Sequence, residues 1–200
     1  MVVWILVSLV GLVVVAVSTA GAKHHRLHPA EVAVFHAVNG LPGWLYVVLW
    51  LPMQLGNLVV GTLAGVGVGV VEGSIGVAVG SLAAAGLKLV SERLIRHRMA
   101  DWLPVRQRPG TSQAGAVLRG ADVPRSGPSF PSGHVILAFG VACVVATVLA
   151  WPGVAIVFVL AAAVGIGRVF VGAHNPLDVS CGLGAGLVAG GTVAAVLVGA

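Results

Sequence analysis

Charged side chains are scarce in this sequence, and their scarcity excludes a water-soluble globular protein. Only 8% of the 200 residues are Asp, Glu, Lys or Arg, whereas 58% are hydrophobic. Soluble domains carry about 25% charged residues. The few charges are clustered, so long uncharged tracts separate them. This pattern is typical of a polytopic membrane protein, and we expect one all-α, membrane-embedded domain over residues 1–200.

Cysteine is also rare, and basic residues are not interleaved with aromatic ones. Cys143 and Cys181 both lie in apolar tracts without a C-x-x-C pair, which favours buried thiols over a disulfide or zinc framework. The net charge is +5, but the sequence shows no aromatic-plus-basic pattern of a nucleic-acid-binding module. We therefore expect no nucleic-acid partner, and attribute the basic charge to lipid headgroups, a phosphate substrate or membrane topology.

Six apolar segments are long enough to cross a bilayer, which takes about 20 residues per helix. The first is interpreted as a retained spanning helix, because no basic region precedes it as in a secretory signal. A short amphipathic piece, Pro29 to Asn39, is expected in the membrane interface, and Leu51-Pro52 is expected to kink the second span or to precede its helix. The predicted six-helix bundle comprises Val2–Ala22, Trp44–Val71, Ser74–Val90, Ser132–Ala150, Val154–Phe170 and a last span that runs to the C-terminus.

The tetrapeptide Pro131-Ser132-Gly133-His134 stands where the long polar stretch enters the fourth span. Ser132 is a natural N-cap, and the backbone N–H groups of such a helix start attract phosphate. Gly133 lets a ligand approach the backbone closely. His134 would then lie beside the bound anion. The alternative is an ordinary helix cap followed by an interfacial histidine.

A second group, Arg168, His174 and Asp178, has the spacing R-x5-H-x3-D across the last predicted turn. Asp178 is within reach to hold one imidazole nitrogen of His174, which leaves the other nitrogen as an unprotonated nucleophile. Arg168 offers a bidentate fork for phosphate oxygens. The alternative is that Asp178 only stabilises the start of the sixth helix through its charge.

These two groups, in this order and separated by two apolar segments, resemble the last two signatures of the type 2 phosphatidic acid phosphatases. The resemblance covers about residues 73–200, the expected active-site half, and the six-span plan extends it to the whole chain. Gly167 stands where the family usually has Ser before the Arg.

The first signature of that family, K-x6-R-P, is matched less well. Arg108-Pro109 has the right dipeptide, but the residue seven places before Arg108 is Asp101 rather than Lys. Lys88 lies at the end of the third span, and Arg98 follows it at a distance that it can reach. We therefore prefer Lys88 with Arg98 and keep Arg108 as the second choice. The remaining arginines of this stretch are expected to form a solvated or headgroup-binding loop: Arg93, Arg96 and Arg106.

The resemblance implies a membrane lipid phosphatase that works through a phosphohistidine, without a metal or another cofactor. His174, oriented by Asp178, would attack phosphorus, and His134 would protonate the leaving lipid oxygen. The substrate would be a polyprenyl phosphate or diphosphate, a phosphatidylglycerol phosphate or a phosphatidic acid. The groups that hold the phosphate would be Lys88, Arg98, Ser132, Gly133 and Arg168, with Arg108 in reserve.

Two other interpretations stay open at this point. The imperfect first signature suggests a family member that has lost activity, which an assay of phosphate release by the purified protein would detect. A transporter or channel would instead use intramembrane charges to line a path. Against it, the charges gather at one face of the predicted bundle and the sequence has no inverted repeat.

The distribution of cations predicts the orientation of the protein in the cell membrane. When the six crossings are followed, all 11 Lys and Arg residues fall on the side of the candidate site. The positive-inside rule places such loops in the cytoplasm. A cysteine introduced at Ser112 should therefore resist a membrane-impermeant thiol reagent in intact cells and react after permeabilisation. Ready labelling in intact cells would contradict a cytoplasmic site and leave the cations to phosphate and headgroup binding.

Overall fold

The computed structural model describes residues 1–23, 27–99, 105–121 and 123–199, with the backbone alone at residues 98 and 99. Within these residues the regular structure consists of nine α-helices and no β-strand, so the predicted all-α fold is confirmed. The helices are α1 Val2–Ala22, α2 Pro29–Asn39, α3 Leu45–Gln54, α4 Leu58–Val71, α5 Ile75–Met99, α6 Pro109–Ser112, α7 Gly133–Val145, α8 Trp151–Phe170 and α9 Pro176–Gly199.

The protein is a multi-pass membrane protein, but the described helices do not reproduce six full crossings. Four of them, α1, α5, α8 and α9, are long and apolar enough to span a bilayer, and α3 with α4 adds a fifth if the bent pair counts as one span. The predicted fourth span is α7, which has only 13 residues. At 1.5 Å per residue its length is roughly 20 Å, less than the ~30 Å hydrocarbon core.

The α3–α4 pair bends by 67°, and the bend lies beyond the position predicted from Leu51-Pro52. Pro52 is inside α3, which continues to Gln54. A new helix then begins because Asn57 caps α4, its Oδ1 accepting hydrogen bonds from the backbone N–H groups of Val59 and Val60 at 3.0 and 3.3 Å. Between the two helices lies Gly56, whose missing Cβ would stand 2.7 Å from the Cβ of His134. The break therefore brings the backbone against the candidate site.

Helix α7 forms the centre of the bundle, and every one of its residues except His134 is buried. It packs on α9 through glycines. A Cβ at Gly190 would lie 2.3 Å from the carbonyl oxygen of Gly140, so only Gly fits there. The α1–α9 contact is equally close, since a Cβ at Gly184 would lie 2.7 Å from the carbonyl oxygen of Gly11. Such approaches of small residues hold helices together in lipid, where hydrophobic burial between helices contributes little.

The polar segment before α7 folds over one end of the bundle. The side chain of Asn39, at the end of α2, donates to the carbonyl oxygens of Val117 and Phe170 and accepts from the backbone N–H of Val117, at 2.8–2.9 Å. Ser112 is half-buried and its hydroxyl donates to the carbonyl oxygen of Arg108. The exposed Ala114 is consequently a better position than Ser112 for the cysteine-labelling test of topology.

Candidate active site

The turn between α8 and α9 is held by local hydrogen bonds that position His174. The backbone N–H groups of Ala173 and His174 both donate to the carbonyl oxygen of Arg168, at 3.0 and 3.2 Å. On the other side, the backbone N–H of Asn175 donates to Asp178 Oδ2 at 2.8 Å. A carboxylate that reaches back to the residue before the helix is a known way to fix a helix start. His174 and Asp178 are thus placed on neighbouring turns of one rigid segment.

His174 and Asp178 face each other in a site closed to solvent. The side chain of His174 is 4% exposed and that of Asp178 is 0% exposed, and His174 Nδ1 lies 3.7 Å from Asp178 Oδ2. Hydrogen bonds of catalytic groups are often long before substrate binds. Burial lowers the pKa of His174 below its ordinary value, with Asp178 opposing the shift and Arg168 and Arg108 adding to it. The imidazole is therefore neutral at pH 7 and carries a nitrogen lone pair.

The second carboxylate oxygen of Asp178 is held by Arg106, which the sequence had suggested to be a solvated loop residue. Arg106 is 8% exposed, and its Nε donates to Asp178 Oδ1 at 3.1 Å. Its terminal nitrogen donates to Glu31 Oε1, which also accepts the backbone N–H of Leu177 at 3.1 Å. The expectation for Arg106 was wrong because the carboxylates that it pairs with are far away in sequence. Burial raises the pKa of Glu31, and Arg106 offsets part of that rise.

Further cations surround the two histidines. Arg108 donates to the carbonyl oxygen of Ala173 at 2.8 Å, next to His174, and Arg168 is buried at the end of α8. His134, in the first turn of α7, is within electrostatic range of Arg168, His174, Lys88 and Arg108. The chain thus brings the predicted R-x5-H-x3-D and P-S-G-H groups together. Burial lowers the pKa of Arg108, whose guanidinium still stays charged at neutral pH.

The start of α7 is built to approach other groups closely. A Cβ at Gly133 would lie 2.6 Å from Glu92 Oε2 and 3.0 Å from Lys88 Cε. Lys88 in turn makes an ion pair with Glu92 at 2.7 Å. Ser132 is fully buried, and among the described residues its hydroxyl has no hydrogen-bond partner. A buried hydroxyl left in this way can bind an incoming oxygen.

The three candidate residues of the first signature are Lys88 and Arg98, both in α5, and Arg108, directly before α6. Arg108 lies beside the turn that carries His174, and Lys88 lies beside Gly133. The backbone of Arg98 belongs to the last turn of α5, but its side chain lies outside the described residues. α5 continues well past the predicted end at Val90, since Glu92 pairs with both Lys88 and Arg96 along the same helix face.

A polar cavity of about 220 Å³ opens next to His134 and Arg168. Its other walls come from the α3–α4 break and from the polar segment that precedes α7. The polar side chains that line it are Tyr46, Gln54, Asn57, Arg119, His134 and Arg168. Sequence reasoning did not find Glu31, Arg106 or Arg119, because none of them belongs to a motif with a local spacing.

This arrangement suits transfer of an anionic group to a nitrogen. A neutral imidazole faces a carboxylate on one side, and fixed cations surround it where negative charge would develop. A second histidine lies within the same cationic cluster. In the described part of the chain, no three His, Cys, Asp or Glu side chains are grouped so that they could hold a metal ion.

Comparison with known families agrees with this geometry. Residues 75–199 match the PAP2 superfamily. The chain belongs to the PAP2 superfamily. That stretch contains both constellations around the two histidines, together with Lys88 and Arg108. No curated protein matches the chain.

Two solved structures have the same fold as this PAP2 chain. A transmembrane PAP2 type phosphatidylglycerolphosphate phosphatase from Bacillus subtilis has a TM-score of 0.70 at 23% identity, covering 96% of this chain and 94% of that one. Aquifex aeolicus LpxE has a TM-score of 0.67 at 22% identity, covering 80% of this chain and 92% of that one. The likeness to the Bacillus subtilis structure extends over nearly the whole chain, so α1 to α4 belong to the shared fold as well.

The buried Glu31–Arg106–Asp178 network generates a prediction for stability. Arg106→Met leaves two buried carboxylates without their cation, which typically costs about 3–5 kcal/mol. Arg125→Met, in the same segment but exposed, should change stability by less than about 0.5 kcal/mol. Thermal unfolding of the three proteins in detergent compares them directly. Equal melting temperatures for Arg106→Met and the wild type would show that the network does not stabilise the fold.

Proposed function

We propose that this PAP2-superfamily protein is a membrane lipid phosphatase that works through a phosphohistidine on His174. The observation that carries the proposal is the buried His174–Asp178 pair, surrounded by Arg108, Arg168 and His134. Membership in the PAP2 superfamily supports it. So does the fold likeness to a protein named as a phosphatidylglycerolphosphate phosphatase.

The first step is attack by His174 on phosphorus. Asp178 faces Nδ1, so the nucleophile is Nε2, the other ring nitrogen. A bond forms between Nε2 and phosphorus, and the bond between phosphorus and the lipid oxygen breaks. Arg106 neutralises one oxygen of Asp178, which keeps the other carboxylate oxygen oriented toward the imidazole. Arg106 and Glu31 are therefore positioning residues in this scheme.

The leaving lipid oxygen takes its proton from His134, which enters this step as the imidazolium ion and leaves it as the neutral imidazole. Water then attacks the phosphohistidine, His134 receives a proton from that water, and inorganic phosphate leaves with His174 restored. Negative charge on the three equatorial phosphate oxygens is stabilised by Arg168, Arg108, Lys88, the Ser132 hydroxyl and the Gly133 amide. In this scheme the cations do the work of a metal, so the proposed enzyme is metal-independent.

An apolar cleft supports a lipid as the substrate. The cleft measures about 170 Å³ and lies between α4, α7 and α8. Its lining includes Leu55, directly beside Gly56, whose missing Cβ would meet His134. A hydrocarbon chain in this cleft would end next to the proton donor. An inactive family member or a transporter of the same plan would bind lipid without releasing phosphate, so turnover separates them from the proposal.

Loss of the nucleophile should abolish phosphate release. His174→Ala is expected to lower turnover of lipid phosphates by roughly a thousandfold or more, as for other catalytic histidines. The exposed His36→Ala serves as control and should keep wild-type turnover. Phosphate release is measured on purified protein with a panel of lipid phosphates, with and without EDTA. Wild-type turnover in His174→Ala would refute the mechanism, and loss with EDTA that a divalent ion restores would refute metal independence.

The assignment of the first signature is tested by a pair of arginine variants. The sequence favoured Arg98 as the partner of Lys88, but we now propose Arg108 in its place because Arg108 donates to the carbonyl oxygen of Ala173, next to His174. Arg108→Ala should then cost on the order of 2–4 kcal/mol of transition-state stabilisation, as for other preorganised charge-stabilising donors. Arg98→Ala should then cost much less. The measurement is kcat/KM of both variants on one lipid phosphate. The opposite ranking would favour the pairing of Lys88 with Arg98.

A further inference from the structure

The proposed mechanism uses His134 and Arg168 from the lining of the polar cavity but gives the rest of the cavity no role. Of the candidate site residues whose side chains are described, His134 and Arg168 line it, whereas His174 and Lys88 do not. An in-line displacement places the leaving group opposite the nucleophile, and His134 is the proposed proton donor to that group. The cavity therefore lies on the leaving-group side of the phosphate.

Apart from His134 and Arg168, the polar side chains that line this cavity favour an anion. Arg119 supplies a positive charge, and Tyr46, Gln54 and Asn57 supply hydrogen-bonding groups. None of the described residues that line the cavity is Asp or Glu. Together with Arg168 this makes two arginines in the cavity lining, with no carboxylate among the described residues that line it. A neutral leaving group would not need that arrangement.

Arg119 is held in place by the protein rather than by solvent. Its guanidinium donates to the carbonyl oxygen of Phe170 at 2.7 Å and to that of Leu41 at 3.2 Å. It also stacks over the Phe170 ring, with its central carbon 4.2 Å from the ring centroid. A fixed guanidinium of this kind binds phosphate oxygens with little further loss of side-chain entropy.

We propose that this cavity is a subsite for a second phosphate, carried by the leaving group, with Arg119 as the residue that determines specificity. The inference rests on the proposed phosphatase function and narrows its substrate class. The second phosphate is bonded directly to the first in a polyprenyl diphosphate, or is separated from it by a glycerol in a phosphatidylglycerol phosphate. A water needs about 10–15 Å³ of cavity, so about 220 Å³ accommodates either group.

The test compares two pairs of substrates that differ in the second phosphate. One pair is a polyprenyl diphosphate and its monophosphate, and the other is a phosphatidylglycerol phosphate and a phosphatidic acid with the same acyl chains. The wild type should favour the first member of at least one pair in kcat/KM, which also identifies the source of the second phosphate. Arg119→Met should lower that preference by about tenfold or more, as expected for a lost hydrogen bond to a charged group.

Asn39→Ala is the matched control, because Asn39 ties down the same segment at Val117 and Phe170 without lining the cavity. A purely structural effect lowers both members of a pair alike, so Asn39→Ala should leave the preference unchanged. Tyr46→Phe, which removes only a hydroxyl from the cavity wall, should reduce the preference in the same direction as Arg119→Met. If Arg119→Met does not fold, the substrate preference of Tyr46→Phe tests the second-phosphate subsite instead.

A binding measurement keeps this inference separate from the proposed function. Methylenediphosphonate should bind the detergent-solubilised wild type at least about tenfold more tightly than methylphosphonate, and Arg119→Met should lose that difference. Absence of turnover on every lipid would refute the phosphatase function while this comparison still tests the subsite. An unchanged substrate preference in the variants, or equal binding of the two phosphonates to the wild type, would overturn the second-phosphate subsite.

Discussion

The negative charge of a fully buried carboxylate has to be balanced by hydrogen-bond donors and cations, and Asp178 is such a carboxylate. Its partners come from two parts of the chain: the adjacent His174 and Asn175 just before α9, and Arg106 from the polar segment. Arg106 is itself buried and is compensated by Glu31 of α2. An unpaired buried charge costs several kcal/mol, so removing any charged partner of this network should be destabilising. Helix α2 is thereby linked to Asp178 and, through it, to His174.

Inside the bundle, away from its polar end, the helices are held by close packing at glycines. Inside, Gly140, Gly186 and Gly190 let α7 and α9 approach until their backbones touch, and Gly11 with Gly184 does the same for α1 and α9. Such close packing fixes the start of α7 relative to α9. That rigidity is useful to a site whose groups come from several helix ends, because catalysis by fixed cations depends on their not having to reorganise.

How much of this was predictable depends on sequence separation. The helices, the R-x5-H-x3-D turn and the Ser132 start of α7 are local, and their spacing in the chain already brings the groups within reach. The pairing of Glu31 with Arg106, 75 residues apart, has no local pattern, so Arg106 looked like one more cation of a solvated loop. The shortness of α7 was likewise hidden, because a buried central helix and a spanning helix have the same apolar composition. Arg119 was not predictable either, because the hydrogen bonds that position it at the cavity go to the carbonyl oxygens of Phe170 and Leu41, which are far away in sequence.

The break between α3 and α4 lies where the polar cavity, the apolar cleft and His134 meet. Gln54 and Asn57 line the polar cavity, while Leu55 between them lines the apolar cleft. Gly56 completes the break and lies against His134. An amphiphile with its chain in the cleft and its polar group in the cavity would cross from one to the other at this point. The bond to be broken would then lie beside His134, which Gly56 contacts. A continuous helix from Leu45 to Val71 would instead close off either the polar cavity or the apolar cleft. In this view the 67° bend between α3 and α4 is part of the substrate site. The same bend means that these two helices do not form a straight membrane span.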